Sequence, residues 1–193
     1  MATTDDVKKL RDLTGISVMQ CKQALEEAQG DFDKALLLLQ KKGSALAAKK
    51  SDRELGAGTV AAYIHSTKDV GSMVVLNSET DFVAKNEEFV RLAYDIAMHV
   101  SAAQPQFIKR EDIDQETLAR ITEMFTKEVL DKPENLREQI LNGKVDAYLK
   151  NLVLLEQSFI KDPEKTIKDL LNGAVQKFGE RVEVSRMARF STR

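Results

Sequence analysis

Cysteine is almost missing from this chain of 193 residues: only Cys21 is present. One thiol excludes an internal disulfide and fits a reducing compartment. Surplus charge is missing too, with 29 basic against 31 acidic side chains and a net charge of −2. A general nucleic-acid binder carries a basic excess, so no direct nucleic-acid partner is expected. No apolar run approaches the ~20 residues that span a bilayer. The opening Met1-Ala-Thr-Thr-Asp-Asp6 lacks the cationic and apolar start of a secretion signal. A cytoplasmic, soluble protein with no membrane partner is therefore expected. Motifs that carry chemistry are lacking as well. There is no glycine-rich phosphate loop of the Walker or Rossmann type and no Cys/His spacing for zinc. The histidines and scattered carboxylates assemble no Ser-His-Asp constellation. No cofactor, no metal site and no conventional enzyme are expected.

What is present is material for a core: 42% apolar beside 31% charged residues. The length suits one domain plus a small one. Residues 1–54 read as a three-helix module with a linker, and 55–193 as an α+β core. Thr3 or Thr4 caps a first helix with Val7, Leu10 and Leu13, which Gly15 ends. Ser17 and Gln20 match a capping box heading a second helix with Met19, Leu25 and Ala28; Gly30 lies just beyond it. Asp31 caps a third helix with Phe32, Ala35, Leu36 and Leu39 inward, which Gly43 stops. Three short helices are unstable singly and must share a core, a marginal one at ~45 residues. Cys21 reads as a small buried apolar side chain. By pattern alone Met19 is core and Lys22 is solvated. The composition shifts between Ser44 and Gly58, so the boundary falls near 55. Lys49-Lys50, inside that stretch, reads as a solvated charge pair.

In the core, Thr59 to His65 alternates, with Val60, Ala62 and Ile64 on one face of a half-buried strand and Tyr63 and His65 on the other. Met73 to Leu76 reads as a buried strand, paired with the first as a hairpin. Phe89, Leu92, Ala93, Ile96, Ala97 and Val100 recur at helical spacing, and Pro105 ends that region. Two amphipathic helices follow as a hairpin. One carries Leu118, Ile121 and Phe125; the other starts at Pro133 and runs through Leu136 and Ile140 to Asn142-Gly143. Leu152 to Leu155 reads as a strand and Asp162-Pro163 as the start of a last helix. Val182, Val184, Ala188 and Phe190 form an alternating final strand interrupted by Arg186. This order implies an antiparallel α+β layer fold.

The stretch Asn77 to Asn86 places Asp81 and Phe82 on a turn between a strand and a helix. Two readings are open. Phe82 folds back into the core and Asp81 is a solvated turn residue, or Phe82 protrudes as an anchor for a partner pocket.

Thr80-Asp81-Phe82-Val83-Ala84-Lys85-Asn86 resembles the signature of bacterial elongation factor Ts, the nucleotide exchange factor of the GTPase elongation factor Tu. Thr14 to Leu25 is similar to that family's N-terminal motif, and Asp95-Ile-Ala-Met-His-Val100 to its Ile-Ala-Met-His element. Leu154-Leu-Glu-Gln-Ser-Phe159 resembles Leu-Leu-Glu-Gln-Pro-Phe, with Ser158 where proline is common. The resemblance spans nearly the whole chain. It implies an N-terminal module of ubiquitin-associated-like fold, with no implication of ubiquitin binding, and a short helical excursion from the core. It implies that the module holds the GTP-binding domain through Met19 and Lys22, and that Lys49 and Lys50 lie close to the partner. It further implies that Thr80, Asp81, Phe82 and Val83 enter beside the Mg²⁺ site of the GDP-bound GTPase and speed nucleotide release. Tyr63-Ile-His65 matches an element implicated in partner contact in longer members, which makes His65 a candidate. The chain holds one core half where longer members hold two, so a homodimer is expected, the second copy supplying the missing surface.

Two other classes fit parts of the pattern. A ribosome- or RNA-associated adaptor would use Lys49-Lys50 and the basic stretch Arg181 to Arg193, against which the near-neutral charge argues. A peptide-binding adaptor would use the three-helix module.

Overall fold

A computed structural model describes residues 3–192; Met1, Ala2 and Arg193, at the ends of the readings of the N-terminus and the basic C-terminal stretch, lie outside the described residues. α1 (Thr4–Thr14) begins where the Thr3 side chain accepts the Asp6 N–H and the Asp6 carboxylate accepts the Thr3 N–H, and it ends at Gly15 with φ 68°. That left-handed turn is the reason for glycine there. α2 (Val18–Glu27) follows Ser17, whose hydroxyl accepts the Gln20 N–H at 3.4 Å. α3 (Phe32–Lys49) is capped by Asp31. Leu10, Cys21, Leu25, Ala35 and Leu39 form the module's own core.

Two expectations fail here. Met19 is on the outer side of α2, whereas Cys21, Ala24 and Leu25 face inward. Gly43 does not stop α3; the helix runs on to Lys49. A Cβ at Gly43 would lie 3.2 Å from the Asn172 carbonyl oxygen and 3.0 Å from Gln176 Oε1. The glycine is there so that two helices can approach closely, and a helix tolerates it at a cost of ~1 kcal/mol.

The core domain opens with β1 (Ala57–Ile64) and β2 (Val70–Ser78), an antiparallel hairpin, then the single turn α4 (Asp81–Ala84) and α5 (Glu87–Ala103). The excursion is α6 (Gln115–Glu128) and α7 (Glu134–Leu152). β3 (Ser158–Phe159) and β4 (Asp162–Thr166) form a small ribbon. α8 (Ile167–Phe178) and β5 (Glu183–Ser191) complete the chain, and the main sheet has the order β1-β2-β5, all antiparallel. The fold is α+β: helix α5 covers one face of the sheet, α8 adds its apolar side to the same core, and Val74, Leu76, Phe89, Ile96, Val100, Ile167 and Val184 share it.

The sheet's faces invert one expectation. Val60, Ala62 and Ile64 are on the solvent side; Ala61, with Tyr63 beside it, is on the core side. Period 2 identifies a face but not which one is covered. β2 likewise alternates, with Met73 exposed between buried Ser72 and Val74. On β5 a register shift opposite Val75/Leu76 reverses the alternation. Val184 therefore faces the core, whereas Arg186, Ala188 and Phe190 face outward, as a bulge requires. Three boundaries also move. α7 continues through Gly143 to Leu152, so Leu152 to Leu155 is a helix end, an isolated bridge at Val153 and a 3₁₀ turn over Leu154–Glu156, not a strand. Asp162-Pro163 lies in β4, and Thr166 caps the last helix instead. An edge ribbon accommodates the proline, which has no N–H to donate.

Candidate partner-binding site

Thr80 ends the extended chain after β2 and caps α4: its hydroxyl accepts the Val83 N–H at 3.5 Å. Four residues of helix are too few to hold themselves. Val83 and Ala84 are buried and root the turn in the core. Asp81 and Phe82 are left outside, and the Phe82 ring is 81% exposed, so it does not fold back. Asp81 pairs with Lys85 at 2.7 Å. The hydrogen bond and charge of that lysine hold the Asp81 carboxyl below its usual range, so it is an anion at neutral pH.

The loop is tied down from below by residues that sequence reasoning missed. The Thr80 hydroxyl donates to Glu180 Oε1 at 2.6 Å and the Thr80 N–H to Glu180 Oε2 at 3.0 Å. The Glu79 carboxylate accepts the Arg181 N–H at 2.6 Å and the Arg53 guanidinium at 3.0 Å. Arg181 in turn donates to the Arg53 carbonyl at 2.6 Å and pairs with Glu183 at 2.5 Å. Partners about a hundred positions apart leave no local pattern; only the turn at Gly179, φ 70°, hints that something happens there.

The other expected contact residues are distributed. Met19 is 80% exposed at the head of α2, and Lys22, one turn on, is exposed beside Glu26 at 3.8 Å. Lys49 is exposed at the end of α3. Lys50 is buried, and its ammonium donates to the Gly179 carbonyl at 2.7 Å. Of the two lysines, then, the structure brings Lys50 into the tie beneath the Phe82 loop and leaves Lys49 free of it. His65 is exposed just past β1, its Nδ1 2.9 Å from the Tyr63 hydroxyl, and Tyr63 stands edge-on to Tyr94. His99 is fully buried and Cys21 is buried, its thiol pushed up by desolvation. Among the described residues no three His, Cys, Asp or Glu side chains converge on a metal position, and no helix is long and apolar enough to cross a membrane.

An exposed aromatic beside an anion on a braced turn, an exposed helical edge and an uncovered sheet face mark an α+β protein with apolar surface left open to solvent. The Elongation factor TS family model matches residues 33–193. Elongation factor Ts of Thermodesulfovibrio yellowstonii is 48% identical over 189 residues, covering 97% of this chain and 94% of its own. That of Thermosipho melanesiensis is 46% identical over 187 residues, with 96% and 95% covered. That of Carboxydothermus hydrogenoformans is 45% identical over 192 residues, with 98% and 88% covered. The chain belongs to the elongation factor Ts family.

Proposed function

We propose that this protein accelerates GDP release from elongation factor Tu, and that Asp81 and Phe82 do so by entering beside the Mg²⁺ and phosphate site of the GTPase. The observation that carries this reading is the Phe82 ring, held out in solvent on a turn whose base is bonded to the core. A large apolar ring in water loses favourable burial unless a partner receives it. An anion beside it repels phosphate oxygens and competes for the cation that neutralises them. The α2 edge, with Met19 and Lys22, supplies attachment to the GTP-binding domain, and Thr80 and Val83 set the turn. Lys49 and His65 are further contact candidates, and Lys50 acts by fixing the end of α3 to the α8 turn. Linkage makes the effect reciprocal: a factor that weakens GDP binding is itself weakened by GDP to the same extent. The test is release of fluorescent GDP from the cognate GTPase with catalytic amounts of this protein. Strong acceleration is expected; binding without acceleration would overturn the exchange reading.

We further propose a homodimer through the open sheet face. Val60 is opposite Val75, Ala62 opposite Met73 and Ile64 opposite Gly71, and those β2 residues are opposite Arg186, Ala188 and Phe190. Arg186 and, at one end, Asn77 and Glu183 are polar; the rest of these rows is apolar, with Ile64 70% and Phe190 69% exposed. A second copy presents the same face about a two-fold axis, so one patch satisfies both chains.

A further inference from the structure

We propose that Glu180 is the positioning residue of the exchange loop: its carboxylate grips the cap of α4 and sets the direction in which Asp81 and Phe82 point. This rests on the exchange reading above. Both donors of Thr80 are spent on one carboxylate, the hydroxyl on Oε1 and the backbone N–H on Oε2. Having donated its proton, the same hydroxyl accepts the Val83 N–H. The bonds run in series from Glu180 through Thr80 into the helical turn that carries Phe82. The converse pair closes the clasp, because the Arg181 N–H donates to the Glu79 carboxylate. Residues 79–80 and 180–181 thus hold each other, each backbone N–H bound by the other segment's glutamate.

The anchor side of this clasp is tied to the core domain and to the end of α3. Glu180 directly follows the C-cap of α8, where Gly179 turns the chain and its carbonyl is taken by Lys50. The held side has little stability of its own, being one helical turn. Rigidity there matters because an anchor ordered before docking pays no ordering cost on docking. Glutamate is specific for the task. Its two oxygens accept both donors at once, whereas a glutamine offers one acceptor oxygen and an alanine none. Glu180 does not touch the nucleotide partner in this reading; it acts through Thr80.

The test follows nucleotide release against factor concentration for wild type, Glu180→Gln and Glu180→Ala. Glu180→Ala is expected to lower the maximal acceleration about tenfold, the factor that ~1.4 kcal/mol of barrier gives. The half-saturating concentration should move by less than roughly threefold, because the α2 contacts are intact. Glu180→Gln should fall between. A second readout needs no GTPase. The chain contains no tryptophan, so Phe82→Trp places a single tryptophan on the loop, excited to the red of the three tyrosines. Adding Glu180→Ala should lower its anisotropy while the melting midpoint stays near that of the parent. Thr80→Val removes the hydroxyl from the other side of the bond and with it the α4 cap; because both single variants break the same hydroxyl–carboxylate bond, the double variant with Glu180→Ala should lose less than the sum of the two single losses. Wild-type exchange and unchanged anisotropy in Glu180→Ala would overturn the proposal, and so would additive losses in the double variant. If even the wild type fails to accelerate release, the exchange reading falls. The anisotropy then decides by itself whether Glu180 holds the loop.

Discussion

Phe82 and His99 are opposite uses of a ring. Phe82 is almost wholly in solvent, so its removal should barely touch folding, within ~0.5 kcal/mol as for other surface positions. If it is the anchor, Phe82→Ala should slow factor-stimulated GDP release roughly 30-fold, the loss of ~2 kcal/mol typical of an interface hot spot. A folded variant that exchanges like wild type would remove Phe82 from the mechanism. His99 is sealed in the core. The Gln157 amide N–H₂ donates to the Ala103 and Asn151 carbonyls, so its Oε1 faces His99 Nε2 at 2.9 Å and that nitrogen carries the proton. Among the described residues His99 Nδ1 has no hydrogen-bond partner. A second proton there would create a buried, unpaired cation, and desolvation lowers the pKa. The unfolded chain takes up that proton near the ordinary value of about 6.5 and the folded chain only below it. Stability is therefore full above the unfolded value and is lost as pH falls through and below it. Urea midpoints should drop between about pH 7.5 and about pH 5.5 in wild type. In His99→Gln, which keeps a donor for Gln157 but does not titrate, they should stay nearly level. Equal drops in both proteins would clear His99.

At the scale of elements, contact between α3 and α8 joins the helical module to the core. Gly43 permits it, with the Asn172 carbonyl oxygen 3.2 Å from where a Cβ would stand. Asn172 donates to Ser44 at 3.0 Å across the same contact, and Gln176 to Gln20. Gly43→Leu should force the helices apart and cost about 1–3 kcal/mol as overpacking, despite the better helix propensity of leucine. Denaturant unfolding measures this, and an unchanged midpoint would mean that the helices separate freely. The elements themselves were largely legible from sequence. Thr3, Ser17 and Asp31 all cap the helices that follow them, since a side-chain acceptor near free N–H groups is a local matter. Gly43 resembles a stop, yet α3 continues because Asn172 approaches it. Gly143 resembles one too, yet α7 continues past it with open space where a Cβ would stand. Pro163 resembles a helix start, yet a ribbon pairs there first.

For the whole molecule, the open sheet face is a feature that the chain alone leaves unexplained. Met73 occupies its centre, with Ala62 on one side and Ala188 on the other. If two copies cover this face, Met73→Glu should give a folded monomer by light scattering, because the charge is solvated in the single chain and buried unpaired in the dimer. A wild-type monomer at working concentration, or a dimer that survives the substitution, would place the second copy elsewhere or nowhere.

Local sequence determined the starts and caps of the N-terminal helices, the β1–β2 hairpin, the final strand, the α+β class and the Asp81-Phe82 turn, because capping, periodicity and turn chemistry act within a few residues. Family membership was legible too, through motifs quoted residue by residue. Which face of β1 meets the core, why Gly43 is a glycine, and what holds Thr80 were decided only by the tertiary structure. Each depends on groups far apart in the chain: α5 covering one side of the sheet, Asn172 approaching α3, and Glu180 reaching Thr80 from a hundred residues away. A pattern of period 2 or 3.6 says that a face exists; only packing decides what lies against it.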